Sequence, residues 1–356
     1  MRRRVAIGII GWLAWPVVAG AQAPRISGQD VRTFDLVYET EVQNIPSGAA
    51  RVDVWIPLPQ NDLFQEIVTQ RVDTPFAWTV HTDPEYGNKI LHLSLVDADV
   101  RTIPITMSFR VRRREHVQPL LTGAPRRAQD DWSLPNGGEV PAPPDQRWLE
   151  PDRLVPLDER IRDIAFEVTA EAETQLEKAR AIYDYVVDTM VYDKSGTGWG
   201  NGDIYWACDA KTGNCTDFHA LFIGLNRAVG IAATFEIGFP LPPDRSAGQI
   251  EGYHCWAQFY LDGVGWVPVD TSEANKHPKK REYFFGAHDQ HRVLFTLGRD
   301  ITLQPPQQGP PLNYFIYPYV EVDGQPFEQV DHRFRFEDVM SGSESETAGT
   351  GSGLAR

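Results

Sequence analysis

Cysteine is scarce in this chain, with three in 356 residues. Three thiols exclude a small scaffold held together by a disulfide framework. Basic residues are short as well: 34 Lys and Arg face 49 Asp and Glu, for a formal charge of −15. An excess of negative charge repels phosphate backbones, which argues against nucleic-acid binding. Beyond the N-terminus no apolar run is long enough to cross a bilayer, so no transmembrane segment is expected in the mature chain. Internal repeats are missing too. What remains is globular in character. A 42% hydrophobic and 23% charged composition excludes wholesale disorder, and the length suffices for a sizeable core.

Residues 1–23 read as an export signal. Arg2, Arg3 and Arg4 form a basic start, and an apolar run follows from Val5 to about Val18. Ala21-Gln22-Ala23 then supplies a small-x-small cleavage pattern. The alternative is a retained anchor, but the run is short for a span and Pro16 lies near its end. The expected location is therefore periplasmic or extracellular, where disulfides are permitted.

Residues 24–116 alternate apolar and polar positions in short segments, such as Phe34 to Glu39 and Arg51 to Pro57. This predicts a small antiparallel β domain of the sandwich type. Residues 117–156 are Pro-rich and read as a linker. Helices are predicted over 157–170, over 175–190 behind a Thr174–Glu177 capping box, and over 214–230, with a Gly- and Trp-rich loop at 195–213. Strands return from 231, and those of 301–340 are expected to pack on the body. Residues 341–356 are small and polar, the composition of a disordered tail.

Chemistry concentrates at the start of the third helix. Phe218, Leu221, Phe222, Leu225 and Val229 mark its buried face, which puts Cys215 in the first turn. Unpaired N–H groups and partial positive charge there favour thiolate over thiol and can also hold an oxyanion. Gly213 allows a sharp entry into the helix. A buried structural cysteine is the alternative reading. A thiolate nucleophile needs a base, and Tyr253 to Tyr260 reads as a strand followed by an Asp262-Gly263 turn and a second strand, Trp266 to Asp270. A three-residue loop centred on Asp262 would set His254 directly opposite Asp270 and Ala257 against Val267. The carboxylate would then orient the imidazole.

Three blocks now stand in order: Gly213-Asn214-Cys215-Thr216-Asp217, then Tyr253-His254-Cys255-Trp256-Ala257, then Gly265 to Asp270. Together with Arg227 to Ala233 they resemble the transglutaminase-like superfamily, in particular its secreted bacterial cysteine peptidases and amidases, over about residues 157–300. The resemblance implies an α+β, papain-like domain with the nucleophile helix packed on an antiparallel sheet, preceded here by the small β domain. It implies Cys215 as nucleophile, His254 as base and Asp270 as the residue orienting it. The implied reaction is acyl transfer from an amide or peptide bond through a thioester, resolved by water or by an amine as in transglutaminases. No cofactor or metal is implied, since no calcium-binding residues can be mapped. A protein, peptide or amide substrate is expected.

Other residues carry weaker readings. The Cys215 N–H is one expected oxyanion donor and Trp206 a candidate for a second. Trp256, with its neighbours, could wall a substrate groove or belong to the core. If Cys215 stays reduced, a Cys208–Cys255 disulfide is the pairing that spares it, while Cys255 as a small core residue is the equal alternative. Asp217 reads as structural, His219 as facing away from the cleft, and His288 and His291 as exposed loop residues. Cys215, Asp217 and His219 fit no zinc spacing. A non-catalytic binding module on the same fold is the competing functional class.

Overall fold

The computed structural model describes residues 30–97, 99–122 and 145–339. The expected export signal, most of the Pro-rich stretch and the expected tail lie outside the described residues. The first strand, β1 (Val31–Val42), alternates strictly, burying Phe34, Leu36, Tyr38, Thr40 and Val42 and leaving the residues between them partly solvated. That period of two gives one face to a core. β1 pairs antiparallel with β6 (Ile103–Arg114), which turns Met107, Phe109 and Val111 to the same side. Strands β2 (Arg51–Pro57), β3 (Gln65–Asp73), β4 (Thr79–Thr82) and β5 (Lys89–Val96) complete the N-terminal β region. They do so in two sheets. β3 lies on the far edge of β6, while β2, β5 and β4 run side by side in a second layer.

Both sheets are extended by the other end of the chain. β18 (Val330–Asp338) pairs with β1 along its length, and β11 (Ala247–Ile250) pairs with β18. β16 (Tyr319–Val322) pairs with β2 and carries β17 (Gln325–Pro326) at its edge. Each layer therefore holds five strands. Their inward side chains, among them Leu36, Val54, Leu93 and Phe109, join one continuous core with the helical part of the molecule.

The helical part follows α1 (Pro119–Thr122). α2 (Glu159–Val168) and α3 (Gln175–Thr189) match the expected helices, and Thr174 and Glu177 form the capping box. α5 (Cys215–Ala228) is buried on all sides from Cys215 to Arg227. It runs through the centre, with α2, α3 and the short α4 (Ile204–Ala210) on one side. On the other lies a four-stranded antiparallel sheet in the order β13 (Gly265–Val269), β12 (His254–Leu261), β10 (Ala233–Pro240) and β15 (Arg292–Leu297). This is the α+β arrangement expected for residues 157–300.

α4 interrupts the loop expected at 195–213. Asp203 caps it by accepting the Tyr205 N–H, and Ile204 and Ala207 bury against α5. Gly224 permits that approach, since a Cβ there would stand 2.3 Å from Ile204 Cδ1. Short parallel pairing of β8 (Val191–Tyr192) with β9 (Thr212–Gly213) then delivers the chain to the start of α5. β7 (His116–Val117) pairs with β14 (Ala287–His288) and ties the first sheet to the last. α6 (Thr271–Lys276) follows β13 directly.

Candidate active site

Position 215 is the first residue of α5, where helical N–H groups have no partner within the helix. Asn214 caps the helix through Oδ1, which accepts the Thr216 N–H at 2.9 Å. Asp217 answers by accepting the Asn214 N–H at 3.0 Å. The same carboxylate accepts the N–H groups of Gly200 at 2.7 Å and Gly202 at 3.0 Å, so it ties the preceding loop to the helix start. Gly213 makes room for it. Its φ is +153°, and a Cβ there would lie 2.3 Å from Asp217 Oδ2. Asp217 is therefore structural, as its place in the first turn suggested.

His254 opens β12 and Asp270 follows β13, and the hairpin between them is one step away from the expected one. Its loop covers residues 262–264 and pairs Ala257 with Val269 and Phe259 with Val267. The centre is Gly263, not Asp262, so the opposing strand is displaced by two residues. Two is an even number, and side chains repeat with that period, so Asp270 keeps the face of His254. It lies beyond the point opposite Trp256 instead of directly across from His254. His254 Nε2 donates to Asp270 Oδ2 at 2.7 Å. This leaves Nδ1 on the side of Cys215, whose thiol shifts the imidazole's pKa upward.

Asp270 is held from several sides. Its Oδ1 accepts the Ser272 hydroxyl at 3.0 Å and the Glu273 N–H at 2.9 Å, which makes it the cap of α6. Its Oδ2 also accepts Arg292 Nη1 at 3.2 Å. A buried carboxylate without partners would neutralise itself. Here burial pushes the pKa up, but the His254 charge and hydrogen bond, with Arg292 behind them, hold it well below the usual range. His254 is the mirror case. Burial lowers it, and Asp270 together with Cys215 lifts it to about 10. For Cys215, burial again raises the thiol. Hydrogen bonds from Cys255 and His254 and the imidazolium charge outweigh burial and bring it well below an ordinary thiol. Both shifts favour a thiolate beside an imidazolium.

Residues 162–271 match the sequence profile of the transglutaminase-like superfamily. They form a transglutaminase-like domain. A protein of Haemophilus influenzae with no characterised function is 28% identical over 380 residues, covering 95% of this chain and 99% of its own. A Bacillus subtilis protein, YebA, is 24% identical over 136 residues, 34% of this chain and 18% of its own. Among solved structures, a candidate cysteine protease from Cytophaga hutchinsonii superposes with a TM-score of 0.57 at 14% identity, covering 88% of this chain and 92% of that one. The last likeness is one of fold.

Around the transglutaminase-like domain's three central residues, other expectations change. Trp206 donates its indole N–H to Thr212 O at 3.1 Å and packs over Gly198, so that N–H is not free for an oxyanion. Trp256 walls no groove. It is fully buried, donates to Glu236 and lies beneath the Arg292 guanidinium, 4.9 Å from its ring centre. It is a floor for the residue that braces Asp270. Cys208 and Cys255 are not bonded to each other. Cys208 sits half-buried on α4, whereas Cys255 faces α5, with its sulfur 3.9 Å from Thr216 Oγ1 and 3.8 Å from His219 Nδ1. His288 is buried against Trp256 and His116, and His291 binds Arg32, so neither is an exposed loop residue.

Some contributors were not expected at the site. His219 donates Nδ1–H to Cys215 O at 2.7 Å and accepts the Thr271 N–H at Nε2, joining the nucleophile's helix to α6. Its position four residues after Cys215, one helical turn, was the available clue. Tyr253 places its hydroxyl between Asn214 Nδ2 at 3.0 Å and Thr216 Oγ1 at 3.1 Å, and Tyr314 extends this row to Gly200 O. These tyrosines line the start of α5, and Cys215 is only 2% exposed. A cleft of about 430 Å³ reaches His254 between Gly252, Glu273, Lys280, Asp289 and Arg292. Among the described residues no group of three or more His, Cys, Asp or Glu is placed to hold a metal ion, and no helix is long and apolar enough to cross a membrane.

Proposed function

We propose that this chain is a thiol enzyme that cleaves or transfers acyl groups at amide or peptide bonds, with Cys215, His254 and Asp270 as its catalytic residues. The observation that carries the reading is the 2.7 Å hydrogen bond from His254 to Asp270, with Cys215 on the first turn of a buried helix, where the His254 imidazolium draws the thiol's pKa down. In the reaction the Cys215 thiolate attacks the carbonyl carbon, and the developing oxyanion is met by N–H groups of the first helical turn, that of Cys215 included. The imidazolium of His254 gives its Nδ1 proton to the departing amine, and the acyl group remains on sulfur as a thioester. Neutral His254 then takes a proton from water or from an acceptor amine as it attacks the thioester. Asp270 keeps the Nε2–H tautomer throughout.

The near-complete burial of Cys215 favours slender acyl donors, such as a side-chain carboxamide or an extended peptide, over a folded surface. The test uses a glutamine-containing peptide with and without a labelled primary amine, and with Cys215→Ala as control. Label joined to the peptide assigns transfer. Ammonia or a cleaved peptide without label assigns hydrolysis. Absence of any Cys215-dependent turnover or acyl-enzyme across carboxamide and peptide donors would favour the non-catalytic binding module. Residues 1–23 are proposed to direct export and to be removed, which N-terminal sequencing of the protein recovered from its native compartment checks.

A further inference from the structure

The four-stranded sheet has a second face, turned away from α5. Thr234 pairs with Gln258 and Tyr260 with Trp266, and Glu236 follows Thr234 by two, so register and period put all five on that side. Phe259, between Gln258 and Tyr260, points the other way and packs on Phe222 of α5. With Trp148 and the segment 62–64, these side chains line a cavity of about 660 Å³, a size that suits a small ligand. Cys215, His254 and Asp270 take no part in its walls. Glu236 is 4% exposed. Its Oε2 accepts the Trp256 indole N–H and its Oε1 the Gln258 amide, so both oxygens are oriented and each keeps a lone pair. Among the described residues it makes no ion pair. The Arg113 guanidinium acts on it only through space and is bonded to Asp62 at 3.3 Å. Burial pushes the carboxyl up to about 7, which is the mark of a charge left without a close partner. Thr234 is 6% exposed, and among the described residues its hydroxyl has no hydrogen-bond partner. The Trp266 ring stands steeply against Tyr260, at 5.5 Å and 74°, and against Trp148, at 6.3 Å and 84°. The three form an aromatic corner, and the faces of such rings attract cations.

We propose that this cavity is a second binding site, separate from the thiol centre, for a primary alkylammonium ion. The N–H groups of the ion donate to the Glu236 carboxylate and the Thr234 hydroxyl, and its carbon chain lies against Trp148, Tyr260 and Trp266. Both polar side chains then gain the partner that their burial demands. An anion is repelled by Glu236 and Asp62. A neutral alcohol could serve the Thr234 hydroxyl but would leave the carboxylate uncompensated. A primary ammonium answers both, because it carries a compact charge and three donors. Such a group comes either from a free small amine or from a lysine side chain of another protein, and the recognition chemistry is the same. The site holds the ion without making or breaking a bond.

The experiment titrates the full chain with butylammonium, with Nα-acetyl-lysinamide and with neutral 1-butanol, followed by calorimetry and ligand-observed NMR. Glu236→Gln, Trp266→Leu and Glu273→Gln are titrated alongside, and the thermal transition of each variant reports whether it is folded. The expected result is saturable binding of both ammonium ions and none of butanol. Glu236→Gln should weaken binding about tenfold or more, and Trp266→Leu, at a half-buried position, about threefold. Glu273→Gln changes the cleft that reaches His254 and should leave the affinity as it was. Tighter binding of Nα-acetyl-lysinamide assigns the site to lysine side chains and tighter binding of butylammonium to free amines; both support it. Absence of saturable binding to the unaltered chain overturns the proposal, as does equal binding of butanol. Unchanged affinity in folded Glu236→Gln does the same, and Trp266→Leu decides in its place if Glu236→Gln does not fold. Loss of binding in Glu273→Gln puts the ion in the cleft beside His254 and overturns it too. No readout uses the Cys215 thiol, so the outcome is independent of the acyl-transfer reading.

Discussion

At the residue scale, three buried ionisable groups shift one another's pKa, and each would be neutral if buried alone. Asp270 does most to prevent that. It accepts from His254, Ser272, the Glu273 N–H and Arg292, so its charge is spread over four donors. Asp270→Asn preserves the shape and removes the charge. An amide can present its NH2 or its oxygen to Nε2, so the tautomer is no longer fixed and the imidazolium loses its partner. The expected loss in turnover is about 10²–10⁴-fold, with substrate binding little altered, measured as kcat and KM separately. The His254–Asp270 pairing was legible in the sequence because it depends only on parity. The hairpin was expected one residue too early in the chain, yet the paired residues stayed on one face. Cys255 and Arg292 were not legible as site residues, since nothing local to either says which buried charge it will meet.

At the element scale, the start of α5 is assembled from a tight loop and a cap. Gly213 is required there twice, by its positive φ and by the Asp217 carboxylate that fills the place of a side chain. Gly213→Ala is expected to destabilise the fold by about 1–3 kcal/mol and to lower Cys215 reactivity together with it, read by urea denaturation and thiol labelling on one preparation. Asn214→Ala should cost about 1 kcal/mol, the value of an N-cap, and leave Gly213 unstrained. The long helices were legible from their 3.6-residue period and caps. α4 was not, because six of the seven residues Ile204 to Ala210 are apolar or small and show no period, so its cap at Asp203 was the sole local mark. Nor was the burial of polar residues along α5. Arg227, for example, is satisfied by Asp152, Glu150 O and Ala233 O, which come from other parts of the chain.

At the scale of the whole molecule, the two ends of the described chain meet in the β layers. β1 and β18 pair over nine positions although 288 residues or more separate the partners. Pairing at such separation leaves no mark on local patterning, and so the alternation of β1 announced a strand without naming its neighbour. The consequence is cooperative. Truncation after Pro318 removes β16, β17 and β18 and leaves the edges of β1 and β2 unpaired. It is expected to abolish the folded state of the N-terminal layers and to lower solubility, seen as loss of a cooperative thermal transition and rapid proteolysis of residues 31–117. A truncated protein that keeps a single sharp transition near that of the full chain would contradict this.

The central claim is that Cys215 rests as a thiolate beside an imidazolium. It is tested most directly by the rate of Cys215 alkylation with iodoacetamide as a function of pH, resolved by peptide mass spectrometry. Cys208, pushed up to about 11, and Cys255, also raised, react slowly and do not obscure it. The sign follows from the two shifts. A lowered thiol pKa keeps the sulfur anionic as pH falls, and His254 keeps its proton until pH rises through about 10. The expected profile is nearly flat from about pH 6 to about pH 9, and His254→Ala restores a slope. A rate that climbs about tenfold per pH unit toward a midpoint near 8.5, unchanged in His254→Ala, is the behaviour of an ordinary thiol and would contradict the claim.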